Sequence, residues 1–231
     1  MVQVNNTPIT LRVKFYKKGN LQYISHLDLV RTMMKVIVRA GLPLWYTEGF
    51  NPKPKVTFAA PLSTGTESEV EFMDVRLTER MSESLALERL NANMTSEMQV
   101  IEVYYPDNKL TTLRYLEYDI SIITTDADEN LAKFCADVLS SSTLPILKKT
   151  KSGEAVVDIK PLIKSANVTY NEGKIFINCI LSADPSAFLN PEYLIKVLRD
   201  KCGILSSDDL LAERYTIMRT AAYREDMSQF R

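Results

Sequence analysis

Two rhythms of side-chain polarity alternate along this chain in an order that leaves few folds open. Apolar residues two apart, as in Leu11, Val13 and Phe15, mark strands, and apolar residues three and four apart mark helices. The first half reads as a strand over 10–17, a helix over 26–40, short extended pieces over 44–47 and 55–59, and a strand over 69–78. A helix over 82–94 and a strand over 99–105 complete it. The first helix is expected to bury Leu27, Val30, Met34 and Ile37 and to stop at Gly41 and Pro43.

After Pro106-Asp-Asn-Lys109 the pattern restarts. A strand over 116–123 leads to a helix over 128–140, capped by Asp126 or Asp128. A short extended piece follows over 146–149, then a basic loop and a helical turn over 159–164. Strands over 166–170 and 174–181 form a hairpin across Asn-Glu-Gly. The last helix, over 191–202, starts on Asn190 and a proline, stops at Gly203, and is followed by a strand over 213–222. Both halves spell βαββαβ. The expected architecture is α+β, two ferredoxin-like domains in tandem over 1–109 and 110–231, alike in pattern without a residue-level repeat.

Bulk composition excludes several classes. Hydrophobic content of 45% with 25% charged residues fits a globular chain rather than a disordered one. No run nears the roughly 18 apolar residues of a membrane span. The opening MVQVNNTPIT lacks signal-peptide character, so a cytoplasmic protein without a membrane partner is expected. Cys135, Cys179 and Cys202 stand far apart in apolar surroundings, which suits buried structural thiols rather than a metal or iron–sulfur site. With His26 as the single histidine, any redox or radical chemistry is expected from a partner.

Charge is unevenly distributed. From Thr10 to Thr57 nine Lys/Arg face two acidic residues, a balance of +7; from Thr66 to Asp107 three face ten, a balance of −7. A local positive field attracts phosphates even when the whole chain carries −1. Arg31, Lys35 and Arg39 recur at i, i+4 and i+8 on the first helix, either a solvated face or one wall of a phosphate groove. In Gly49-Phe-Asn-Pro-Lys-Pro-Lys55, two prolines force Asn51 and Lys53 extended. With Trp45, Tyr46 and Phe50 nearby, this loop is either a stiff connector or a platform that stacks bases while Lys53 and Lys55 hold phosphates. Pro61–Ser68 is a polar loop, a candidate lid or anion loop without the ending of a P-loop.

Ser25-His26-Leu-Asp28 places Ser, His and Asp together, but triad members normally converge from distant positions. The simpler reading is a capping box, with Asp28 reaching back to the Ser25 amide. His26 then sits in the first helical turn, as a structural group, a ligand contact or a base.

The string from Lys14 through Gly19-Asn-Leu-Gln-Tyr-Ile-Ser-His-Leu-Asp to Arg31 resembles the opening signature of the bacterial radical SAM-linked proteins. So do Glu48-Gly-Phe-Asn-Pro-Lys-Pro-Lys-Val-Thr-Phe58, Pro61-Leu and Gly65-x-Glu-Ser68, with a looser likeness through Val157-Asp-Ile-Lys and Arg219-Thr-Ala-Ala-Tyr223. This domain of unknown function occurs beside, or fused to the C-terminus of, a radical SAM protein. The resemblance implies a bacterial setting near genes for ribonuclease G and ribosomal proteins, hence RNA or the ribosome by association. One departure matters: Lys53 stands where the family pattern commonly has histidine, which favours binding over chemistry.

The leading expectation is therefore a non-catalytic RNA-binding accessory protein that presents substrate to a radical SAM enzyme. The iron–sulfur cluster and S-adenosylmethionine would belong to that partner, with no cofactor in this chain. Arg31, Lys35, Lys53 and Lys55 would hold phosphates, Tyr46 and Phe50 would stack bases, and His26 and Asn51 would make specific hydrogen bonds. One alternative is a metal-independent RNA-cleaving or RNA-modifying enzyme with His26 as base. The other is a protein–protein adaptor docking through the acidic segment 66–107.

Overall fold

The computed structural model describes residues 7–150, 153–207, 209 and 211–231. Leu11, Val13 and Phe15 of strand β1 (Ile9–Lys17) are wholly buried, while Lys14 and Tyr16 between them keep some exposure. Alternation thus sends one face of β1 into a core. Helix α1 (His26–Arg39), strands β2 (Val56–Phe58) and β3 (Thr66–Leu77), helix α2 (Glu83–Asn91) and strand β4 (Val100–Tyr104) complete the first of two units, Met1–Thr112 with Arg231. Its strands lie in the order β4-β1-β3-β2, every neighbour antiparallel. Both helices contribute to one core: Met33 and Ile37 of α1 and Ala86 and Leu90 of α2 join Phe15, Met73 and Val75. Each large apolar side chain buried this way contributes about 1.5–3 kcal/mol before the cost of ordering the chain.

The buried face of α1 differs from the expected one. Leu29, Met33, Val36 and Ile37 face the sheet, while Leu27 and Val38 are exposed and Val30 and Met34 half-buried. A 3.6-residue period fits both stripes. Centring the buried face on the expected stripe would draw Arg31 towards the core, and desolvating a guanidinium costs several kcal/mol. The second correction concerns β3, which begins at Thr66 rather than near Glu69. Thr66 and Ser68 are therefore buried strand residues, and the presumed lid loop is shorter than its composition suggested. A β-bulge between the Phe15–Glu71 and Lys17–Ser68 pairs lets the strand carry these polar side chains.

The second unit, Leu113–Phe230, contains β5 (Tyr115–Ile123), α3 (Glu129–Ser140), β6 (Pro145–Thr150), β7 (Gly153–Asp158), β8 (Ile163–Asn171), β9 (Lys174–Ser182), α4 (Glu192–Cys202) and β10 (Arg214–Tyr223). Its main sheet runs β10-β5-β9-β8, again antiparallel throughout. Asn171 pairs with Lys174 across Glu172 and Gly173, both at positive φ, the turn whose twist matches a hairpin. The basic loop expected after 146–149 is instead the turn side of a hairpin, β6 against β7, forming a separate two-stranded sheet. Its Lys151 and Ser152 lie outside the described residues. Alternation in Gly153–Asp158 is weak because nearly every side chain there is exposed, so periodicity carries no signal.

The helix ends follow local chemistry. Asp128 Oδ1 accepts the Leu131 amide at 2.7 Å, which holds the Asp128 carboxyl below its ordinary range. Asn190 Oδ1 accepts the Glu192 amide at 3.1 Å, and Gly203 ends α4 in the left-handed region at φ 71°. Cys135 and Cys179 are buried, and burial pushes both thiols up to about 12; Cys202 is half-buried beside Cys135. No helix among the described residues is long and apolar enough to cross a membrane. The α+β character expected from the sequence holds.

Candidate nucleic-acid interface

All eight residues singled out by the sequence belong to the first unit. At the start of α1, Ser25 Oγ accepts the Asp28 amide at 3.1 Å and donates its own proton to Asp28 Oδ2 at 2.7 Å. Asp28 thus engages the Ser25 hydroxyl, not its amide, a variation on the expected capping box. The arrangement keeps the serine away from His26. The His26 ring stands edge-on to Phe58 at 5.6 Å, and Phe58 meets Phe15 at 6.5 Å, so the imidazole is the outer end of an aromatic stack rooted in the core. Its Nδ1 is buried without a hydrogen-bond partner.

The Gly-Phe-Asn-Pro-Lys-Pro-Lys string closes a narrow hairpin that branches from the end of β3. Leu44 bridges to Leu77, and the Trp45 amide donates to Arg76 O at 2.8 Å. On the return side the Arg76 amide donates to Lys55 O, and the Lys55 amide to Trp45 O, each at 2.9 Å. Tyr46 opposes Pro54, and the Thr47 amide donates to Lys53 O at 2.8 Å while its hydroxyl accepts the Lys53 amide at 3.1 Å. Pro52 and Pro54 bring no amide proton, so the ladder ends there and the tip 48–52 carries only side chains. Gly49 makes the reversal at φ 115°, in open space. Phe50 is fully exposed at the tip and Tyr46 partly so, flanked by exposed Asn51, Lys53 and Lys55.

Folding dissolves much of the charge segregation seen along the chain. β3 returns beside β1, which sets acids against bases: Arg12 with Asp74 at 2.7 Å and Lys18 with Glu69 at 3.0 Å. Arg231 pairs with Glu102 at 2.7 Å, and Glu67 and Glu97 accept the amides of Gly19 and Asn20. Among the described residues Lys35, Arg39, Lys53 and Lys55 form no ion pair, and Arg31 meets only its exposed helix neighbour Asp28 at 3.4 Å. The outer face of α1 and the hairpin thus keep positive side chains available, as do Lys14, Arg80 and Arg89 elsewhere in the unit. No hydrogen bond, ion pair or ring contact joins His26 to the hairpin tip; it packs at the opposite end of β2 from Lys55.

Several motif residues prove architectural. Glu67 Oε1 takes the Gly19 amide at 2.6 Å and Ser68 Oγ the Val70 amide at 3.1 Å, while Lys17 Nζ, buried, donates to Leu21 O at 3.2 Å. Tyr23, which the enzymatic alternative would use beside His26 as a helper, is exposed at the end of the short turn before α1. A shallow groove of about 380 Å³ lies on the open face of the second unit's sheet, beside Asp119, Ser121, Asn167, Thr169, Phe176 and Asn178. Asn178 Nδ2 already donates to Glu117 and Asp119, both at 2.8 Å, so that floor is acidic and unsuited to phosphate. No group of three or more His, Cys, Asp or Glu side chains placed to hold a metal occurs among the described residues.

A comparison with curated proteins finds no relative. Among solved structures the chain is similar to one chain of "Crystal Structure of a Cbf5-Nop10-Gar1 Complex", with 12% identity and TM-score 0.50, covering 94% of this chain and 50% of that one. This chain thus spans half the length of the one it matches, and a likeness at that identity is one of fold. Weaker matches are an unknown protein from Galdieria sulphuraria (8% identity, TM-score 0.27, covering 92% of this chain and 99% of that chain) and DyPB from Rhodococcus jostii RHA1 (9% identity, TM-score 0.21, covering 94% and 95%); neither carries an argument. Over residues 10–191, a span that runs from within β1 to the residue before α4, the sequence matches a family profile, and the chain belongs to that family, described as "Uncharacterized protein conserved in bacteria (DUF2344)".

Proposed function

We propose that this protein is a non-catalytic RNA-binding accessory protein of the bacterial cytoplasm, built from two ferredoxin-like domains, that presents its RNA to a partner radical SAM enzyme. The strand orders β4-β1-β3-β2 and β10-β5-β9-β8, each with two helices in βαββαβ sequence once the β6–β7 hairpin inserted in the second unit is set aside, support the domain reading. The radical SAM partner, with its iron–sulfur cluster and S-adenosylmethionine, rests on the sequence resemblance. The observation that carries RNA binding is Phe50, fully exposed at the tip of a proline-braced hairpin between the aromatic Tyr46 and unpaired Lys53 and Lys55. An apolar ring held in water costs free energy unless something stacks on it, and unstacked bases with adjacent phosphates are suited to both ring and lysines. Arg31 and Lys35 extend the positive field along α1, and Asn51, exposed at the tip, offers polar atoms to read base edges, whereas the Nδ1 of His26 is buried.

The test is titration of the full chain with single-stranded RNA at graded salt. Affinity should fall steeply as salt rises and collapse in a Lys53→Glu, Lys55→Glu double variant. Binding indifferent to both, or absent at low salt, rejects the reading. The unpartnered Nδ1 of His26 favours a second reading, an RNA-cleaving or RNA-modifying enzyme with this imidazole as base. Unchanged RNA turnover in His26→Ala would eliminate it. Docking of a partner through segment 66–107 is less favoured, because Glu67, Glu69, Asp74, Glu97 and Glu102 are engaged within the chain.

A further inference from the structure

Helix α1 carries more apolar surface than its own domain uses. At about 100° per residue, apolar residues occupy a continuous arc of roughly 200°, whereas a helix resting on one layer needs a stripe somewhat over 100° wide. Leu29, Met33, Val36 and Ile37 fill the part that meets the sheet. The surplus is a shoulder formed by Leu27, Val30, Met34 and Val38, spaced 3, 4 and 4 residues apart. Leu27 remains 57% exposed and Val38 49%; Tyr23, 65% exposed, ends the short turn that precedes the Ser25 cap. Three successive turns thus present one apolar ridge to solvent, about 16 Å long at 1.5 Å per residue.

The ridge is bordered along its open edge by Arg31, Lys35 and Arg39, one position after Val30, Met34 and Val38 in the same repeat. Asp28 is the only acid within α1, and the Arg31–Asp28 contact at 3.4 Å is solvent-exposed. An apolar seam with a basic flank is half of a helix-pair interface, in which charges beside the seam select the partner. A second copy of α1 would bring three like charges against these three, which opposes self-pairing.

From this geometry we infer that the outer shoulder of α1 is a docking site for an amphipathic helix of a partner protein, with leucine-like residues at i, i+3, i+4 and i+7 and glutamate or aspartate along one flank. The partner helix lies along Leu27, Val30, Met34 and Val38, and its carboxylates meet Arg31, Lys35 and Arg39. The site shares Arg31 and Lys35 with the RNA reading but not the hairpin, and it adds the apolar ridge, which RNA does not need.

The full chain is titrated with two fluorescein-labelled 18-residue helical peptides that share a leucine seam and differ only in glutamate or lysine flanks. The expected result is micromolar binding of the glutamate peptide and at least tenfold weaker binding of the lysine peptide. Leu27→Asp with Val38→Asp, both at exposed positions, should weaken the glutamate peptide at least tenfold, and the neutral pair Leu27→Ser with Val38→Ser should weaken it too while leaving single-stranded RNA affinity within twofold. Lys35→Glu with Arg39→Glu should reverse the preference between peptides, a gain that misfolding cannot produce. Lys53→Glu with Lys55→Glu should abolish RNA binding and spare the peptide, so failure of either idea is seen separately. Equal binding of both peptides, no binding of either, or indifference to the Leu27 and Val38 changes overturns the inference. So does a dimer in sedimentation, or flotation with anionic lipid vesicles, that the Leu27→Asp, Val38→Asp variant loses, since each names another occupant of the ridge.

Discussion

Arg12, wholly removed from solvent, grips Asp74 on the neighbouring strand with two prongs, Nε to Oδ1 at 2.7 Å and Nη2 to Oδ2 at 3.0 Å. The two are register partners across β1 and β3, and the remaining donors reach Asn108 Oδ1 at 2.7 Å and Asn108 O at 3.0 Å. Such a pair holds two strands and the following segment in one geometry. Its value lies less in net attraction than in the cost of breaking it, because a lone guanidinium in this place has no water. Asp74→Ala should therefore lower unfolding free energy by about 3–5 kcal/mol. The double change Arg12→Met with Asp74→Leu, which removes both charges and strands neither, should cost less. Urea midpoints of the two variants check the order; an unchanged midpoint for Asp74→Ala would refute it.

Glu213 predicts an acid-sensitive second domain. Its carboxylate accepts the Thr124 hydroxyl and the amides of Ser207 and Thr125, which lowers its pKa from 4.5 to about 2. A group depressed on folding contributes fully above its unfolded value and loses that contribution as pH falls through the folded one. Stability should thus decline from about pH 4.5 towards pH 2, and Glu213→Gln should be less stable at neutral pH with a flatter acid limb. Denaturant midpoints at pH 6, 4 and 3 measure both slopes. Parallel slopes for variant and parent would show that other groups dominate.

Gly19 turns the chain after β1 at φ 60°, and a Cβ there would run into Glu97 Oε1, the acceptor for the Asn20 amide. Gly19→Ala should cost about 1–2 kcal/mol for the left-handed backbone alone. Displacing Glu97 adds to that. Thermal melts of Gly19→Ala beside Gly49→Ala, whose site is open, separate the two contributions, with the larger loss at Gly19.

Phe50→Ala should leave stability within about 0.5 kcal/mol, since the ring touches solvent on all sides. The same change should weaken single-stranded RNA by about 1–3 kcal/mol, the range for one stacked base. Loss of stability without loss of RNA affinity would assign the ring a structural role instead.

The elements of both domains were legible because their signals are local. Alternation in Leu11, Val13 and Phe15, the cap at Asp128 and the stop at Gly203 depend on a few neighbouring residues. Local pattern also brought out the proline-braced lysine loop, whose stiffness is a property of Pro52 and Pro54 themselves. Three things lay beyond it. Which apolar stripe of α1 would be buried depended on the width of the sheet beneath it and on keeping Arg31 in water. Whether segregated charges would form a field depended on β3 folding back beside β1, which joined Arg12 to Asp74 and Lys18 to Glu69 but reached none of Lys35, Arg39, Lys53 and Lys55. The β6–β7 hairpin was hidden because β7 is exposed along nearly its whole length, and a strand with no buried face writes no period into its sequence. Sequence alone determined the order and kind of most helices and strands and the caps at Asp128 and Gly203, because backbone preference and capping act over a handful of residues. Tertiary structure decided which surfaces remain for a partner, because burial and charge pairing are settled between residues far apart in the chain.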